Sequence, residues 1–192
     1  SIGALATADP ATHRILLVES EAKITGRRWH RQRLHLHLSA LRRFAAELRD
    51  EGFTVDHRSA PTFAAGLAAH RAEHAPTEVV ATEPNSMAAS TLLDHLGVET
   101  VRSNQFACHR DEFAAWASGR KRRTMEDFYR EQRRRFDLLM DGDEPTGGRW
   151  NFDADNREPP PKDGANHWPA PVRSTLDDTD REVIGRLRRG GG

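Results

Sequence analysis

Between residues 15 and 102 the sequence alternates short apolar runs with longer stretches of helical period, and this alternation restricts the fold more than any other feature. Residues 15–18 (ILLV) form a continuous apolar run of the kind buried on both faces of a sheet. Over residues 31–51, Leu34, Leu38, Leu41, Phe44, Ala45 and Leu48 keep to one side of a helix, and Gly52 supplies its stop. Residues 53–57 read as a strand, 62–73 as a helix with Phe63 and Leu67 inward, 78–81 as a strand, 85–96 as a helix and 99–102 as a strand. Strands and helices alternating at this pace predict an α/β fold, a Rossmann-like doubly wound parallel sheet with helices on both faces.

After Ser103 the alternation stops. Residues 111–116 predict a short helix, and residues 124–139 a longer one with Thr124 as N-cap and Asp127 three positions on. Met125, Phe128, Gln132, Phe136 and Leu139 line one side of that helix. Arg130, Arg133, Arg134 and Arg135 line the other, just after the basic cluster Arg120, Lys121, Arg122 and Arg123. Such a face serves either plain solvation or, together with Tyr129, Trp150 and Asn151, an anionic or planar partner. An extended connector over 141–173 follows, carrying Pro145, Pro159, Pro160, Pro161, Pro169 and Pro171, and then a mostly charged helix over 177–188. The implied organisation is a flexible arm (1–13), an α/β domain (14–118), a basic helix with an extended connector (119–173) and a charged helix and tail (174–192).

Lys and Arg together number 29, as do Asp and Glu, so any basic footprint is local rather than global. The one cysteine, Cys108, excludes an internal disulfide and cannot alone hold a zinc or iron–sulfur centre, which suits a reducing cytoplasm. No apolar run approaches the roughly 20 residues that span a bilayer, and residues 1–13 lack the pattern of a signal peptide. A cytoplasmic protein without a membrane partner is expected.

In an open parallel sheet, ligands bind beyond the carboxyl ends of the strands. Glu19, Ser20 and Glu21 follow the first predicted strand, Thr82, Glu83, Pro84 and Asn85 the third, and Ser103 and Asn104 the fourth. Their hydroxyls, carboxylates and amides suit a polyhydroxy chain and a heterocycle edge, and no glycine-rich phosphate loop follows any strand. The same carboxylates also read as ordinary loop residues, with Glu83 favouring a helix N-terminus. His35 and His37 lie two apart and diverge on a helix, so no metal site is expected there. Asp153 and Asp155 lack the glycine and glutamate of a calcium loop. Cys108 beside His109 reads as a structural thiol, and no catalytic residue is assigned.

The run TMEDFYREQRRRFDLLMDGDEPTGGRWNFDADNREP, with the earlier HLHLSALRRFAAEL and ATEP, resembles the N-terminal region of bacterial photolyase-related proteins. These form the iron–sulfur, (6-4) photolyase-like branch of the photolyase and cryptochrome superfamily, and the likeness runs from about residue 15 to about residue 160. The resemblance implies an antenna and docking domain for light-driven DNA repair, without catalytic activity on its own. It implies a ribityllumazine antenna held by Glu19, Glu21, Thr82, Glu83 and Ser103. Arg130, Arg134, Arg149, Trp150 and Asn151 would contact another domain or phosphate. The partner would be the parent's own C-terminal domain, with its FAD and iron–sulfur cluster, and through it DNA. The Gly-Asp-Gln turn of the family's earlier first strand is not found in this sequence. Separated from that partner, the chain is expected to self-associate through the region 124–150. A second reading is a stand-alone α/β module that binds a small molecule or nucleic acid.

Overall fold

A computed structural model describes residues 3–157, 159, 162 and 169–189. Pro160, Pro161, Trp168, the first two residues of the predicted arm and the glycine-rich end at 190–192 lie outside the described residues. The chain divides into two compact units, residues 1–105 with 173–192, and residues 106–172. None of the described helices is long and apolar enough to cross a membrane.

In the first unit, β1 (Arg14–Ser20) pairs in parallel with β2 (Thr54–Ala60), from Arg14 opposite Thr54 to Ser20 opposite Ala60. A second parallel pair joins β3 (Val80–Thr82) to β4 (Glu99–Val101). Among the described residues these are separate two-stranded ladders, where the alternation predicts one continuous sheet. The short reach of β3 and β4, three residues each, leaves little backbone to extend a ladder further. A shared core nevertheless connects the elements. Leu67, Leu93 and Val98 are buried together, and Leu16 of β1, Ala81 of β3 and Phe63 pack against them.

The helices of this unit are α1 (Glu21–Thr25), α2 (Arg31–Asp50), α3 (Phe63–His74), α4 (Met87–His95) and, after the second unit, α8 (Asp178–Arg189). Side-chain caps set two of the starts: the Thr62 hydroxyl accepts the Ala65 N–H at 3.0 Å, and the Ser86 hydroxyl accepts the Ala89 N–H at 3.2 Å. Gly66 lets α3 approach the strands closely, because a Cβ there would lie 2.8 Å from a methyl of Val18. A turn of 3-10 helix at Gly3–Ala6 lies at the other end of this chemistry: the Ala4 N–H donates to the Thr82 hydroxyl at 3.0 Å, and the Gly3 N–H to the Asn104 amide oxygen at 3.1 Å.

The second unit contains α5 (Arg110–Ala117), α6 (Met125–Phe136), a two-residue antiparallel pairing of β5 (Met140–Asp141) with β6 (Glu144–Pro145), and α7 (Asp153–Asn156). Thr124 caps α6 as its position predicts, accepting the Asp127 N–H at 3.2 Å. The helix stops three residues earlier than its stripe suggests. Asp137 turns left-handed at φ 52, and the Arg133 guanidinium donates to the carbonyls of Leu138 and Leu139. Within the predicted connector, Gly142 at φ +61 makes the β5–β6 turn.

Candidate functional site

The carboxyl ends of β1 and β3 open into a cavity of about 690 Å³ in the first unit. Its walls are mostly apolar, from Val18, Leu38, Leu41, Phe63, Leu92 and Leu93. Polar atoms come from a small set, Ser20, Lys23, His37 and Ser86, alongside Glu19 and the indole of Trp29. A large apolar chamber with few polar groups is the form that small-molecule sites take, typically about 300–1,000 Å³.

Trp29 is fixed in place rather than loosely exposed. Its indole N–H donates to the Lys23 carbonyl at 2.8 Å, and the guanidinium carbons of Arg27 and Arg33 lie 3.6 and 4.9 Å from the ring centre. From the sequence, this basic segment offers no metal site at His35 and His37, and nothing there assigns it a ligand. The signal was nonetheless present: His37 falls at helical spacing with Leu34, Leu38 and Leu41, all of which line the cavity.

Glu19 was placed in the loop after the first strand, and the structure corrects this. β1 runs on to Ser20, so Glu19 is a strand residue, 3% exposed, at the cavity wall. Arg42 forks onto its carboxylate, Nε to Oε1 at 2.8 Å and Nη2 to Oε2 at 3.2 Å. The Nε2 of His57 lies 3.1 Å from Oε1, and Arg186 of α8 pairs with Oε2. Burial, followed by the Arg42 and Arg49 charges, lowers the His57 pKa, and because the carboxylate only accepts, the His57 Nε2–H is the donor between them. Glu19 thus gathers β2, α2 and α8 at the end of β1.

The other expected ligand residues lie near the same strand ends without lining the cavity. The exposed Glu21 carboxylate pairs with Arg186 and lies 3.5 Å from the Ser59 hydroxyl. Thr82 ends β3 rather than following it, with its hydroxyl accepting from Ala4. The Glu83 N–H donates to the Val101 carbonyl at 2.8 Å, and the buried Ser103 hydroxyl accepts the Gln105 N–H at 3.2 Å.

The second unit carries a different surface. The guanidinium carbons of Arg130, Arg133 and Arg134 lie 5.5, 5.3 and 4.6 Å from the centre of the Trp150 ring. Tyr129, Trp150, Asn151 and Phe152 share a recess of about 490 Å³ with Glu126 and Arg133. Arg133 serves neither of the two uses open to that face, solvation or an outside partner. It is 6% exposed, because its donors close off the end of α6. Arg130 pairs with Glu126 four residues back, and Arg149 with Asp155 at 2.6 Å. Arg134 is exposed and stacked, the arrangement best suited to a planar or anionic partner.

Comparison with known proteins supplies the family. The chain matches the deoxyribodipyrimidine photo-lyase-related protein family over residues 1–191. It is also 38% identical over 171 residues to a (6-4) photolyase of Agrobacterium fabrum (strain C58), covering 83% of this chain and 34% of that protein. The chain therefore spans about a third of the length of this relative. A match along nearly the whole sequence places the chain in the deoxyribodipyrimidine photo-lyase-related family.

Proposed function

We propose that this chain is the antenna and docking part of a (6-4) photolyase-like DNA-repair protein of the iron–sulfur branch. The observation that carries the reading is the apolar cavity at the carboxyl ends of β1 and β3, in a chain that matches about a third of a (6-4) photolyase. β1–β2 and β3–β4 are two halves of one doubly wound sheet, with the cavity at the point where its strand order reverses. Leu16 and Ala81, packed on one core, support that arrangement.

The donor set fits a ribityllumazine. Trp29 and Phe63 offer flat and apolar walls to a ring system, while Lys23, His37, Ser20 and Ser86 offer donors and acceptors to its edges and to hydroxyls. When bound, such a chromophore absorbs near-ultraviolet light and passes excitation to a flavin. Glu19, at the cavity wall, is held there by Arg42 and Arg186. Glu21, Thr82, Glu83 and Ser103, the other residues expected to bind it, lie at neighbouring strand ends outside the cavity lining. FAD, the iron–sulfur cluster and lesion binding belong to the portion of the parent beyond the matched third. Arg134, Trp150 and Asn151 of the second unit face that domain or DNA phosphate.

The absorption spectrum of the purified chain, repeated on the supernatant after heat denaturation, tests the antenna reading. A released lumazine that is lost in Trp29→Ala supports it. Protein reconstituted with the lumazine that shows no saturable binding refutes it.

A further inference from the structure

On the far side of β2 from Glu19, a second cluster involves none of the cavity residues. We propose that Asp56, His70 and His74 form a binding site for a divalent transition-metal ion of the zinc class, with Glu73 as the fourth ligand. His70 and His74 are four residues apart on α3, so both rings leave the same face of the helix. Asp56 reaches them from the middle of β2, opposite Leu16 of β1. The Nδ1 of His70 lies 2.6 Å from Asp56 Oδ2, and the Nε2 of His74 lies 3.8 Å from the same oxygen. The ligand atoms of the three residues all fall within 4.8 Å of one another. Ligands held about 2.0–2.2 Å from a tetrahedral zinc are about 3.4 Å apart, a spacing that these separations bracket. Two imidazoles and a carboxylate also match the donor preferences of zinc and its neighbours rather than those of calcium or magnesium.

Burial makes the cluster a prepared site and not a surface coincidence. His70 is 5% exposed, and the Asp56 side chain is also largely enclosed. Glu73 precedes His74 on α3, and its Oε1 lies 3.5 Å from His74 Nε2 on the solvent side. Arg58 shows what the cluster attracts. Its guanidinium bridges Asp56 and Glu73, donating Nε to Asp56 Oδ1 at 2.8 Å and Nη2 to Glu73 Oε2 at 2.8 Å. It is the cation that balances these carboxylates without metal, and binding of the ion releases it. The bound metal then staples α3 onto β2 in the first unit.

Cobalt(II), whose visible absorption reports its coordination, tests the site on the chelator-treated 192-residue chain, with zinc as competitor. The expected result is a tetrahedral-type spectrum that saturates at one equivalent and is displaced by zinc. His74→Ala weakens binding at least about tenfold, the scale on which even outer-shell changes act. Arg58→Gln tightens it about fivefold, since a partly buried ion pair no longer competes. A structural ion-pair network alone gives no such gain. Absence of saturable absorption in both the wild-type and Arg58→Gln proteins overturns the proposal, as does a spectrum unaffected by His74→Ala in protein shown by circular dichroism to be folded.

Discussion

The two units of the chain solve the problem of burial differently. In the first, Leu67, Leu93 and Val98 form a core to which strands and helices both contribute, and charged groups such as Glu19 are buried only with full complements of partners. Among the described residues of the second unit no large apolar side chain is fully buried, and Arg133 is its most enclosed large residue. Its aromatic side chains Phe113, Trp116 and Phe128 form a half-buried trio with ring centres 5.0–5.6 Å apart, while Met125 and Leu139 are 79% and 70% exposed. The first unit thus holds the buried hydrophobic core of the described chain, although Leu36 and Met87 on its surface stay exposed. The second leaves Met125, Leu138 and Leu139 largely exposed, the surface on which the proposed partner would dock.

The largest expected effect is in the first unit. Leu67→Ala removes a side chain 1% exposed at the centre of the core, and urea denaturation is expected to show a loss of about 2–5 kcal/mol. Gly66→Val follows, because even the first added carbon would lie 2.8 Å from Val18, and overpacking of this kind costs about 1–3 kcal/mol in the same assay. In the second unit Thr124→Ala removes the α6 cap, with an expected cost of about 1 kcal/mol read from amide exchange along Met125–Phe136. A loss equal to that of Leu67→Ala would abolish the contrast between the units.

Acid reaches a depressed carboxyl in each unit over one range. Burial pushes the Asp180 carboxyl up, but Arg43 and the Asp177 N–H outweigh it and hold the group at about 2. Because this folded-state value is depressed, its contribution is complete above the ordinary carboxylate range near 4 and fades as pH falls toward about 2. Amide resonances of Asp178–Arg189 are expected to shift across that window, as α8 loses its pairings with Arg43 and His35. Arg135 holds Glu112 of the second unit at about 2 as well, so the aromatic trio should respond over the same range. The smallest effect is expected for Met125→Ser with Leu139→Ser, within about 0.5 kcal/mol for the fold, but with less self-association by light scattering at high concentration. Unchanged association would remove the argument that this surface awaits a partner.

Much of this was readable from spacing. The apolar stripe of α2, the cap at Thr124 and the strand–helix alternation are local patterns, and local patterns specify elements. The reach of β1 through Glu19 was not readable, because a charged residue at the end of an apolar run looks like a loop until Arg42, His57 and Arg186 converge on it from distant positions. The burial of Arg133 was hidden for a related reason: its partners are carbonyls, and carbonyls leave no trace in the sequence. The His70–His74 spacing was visible, but its third member, Asp56, comes from another element.

The return of α8 has a consequence for the order in which the molecule is made. Synthesis leaves the first unit at residue 105 and resumes it only at residue 173, with the whole second unit in between. On the ribosome, Glu19 has Arg42 and His57 for company long before Arg186 is translated. At a rate of about 5–20 residues per second the wait lasts about 6–26 s, during which Glu19 has two partners instead of three. The last of the three partners of Glu19 to arrive is the one supplied by α8.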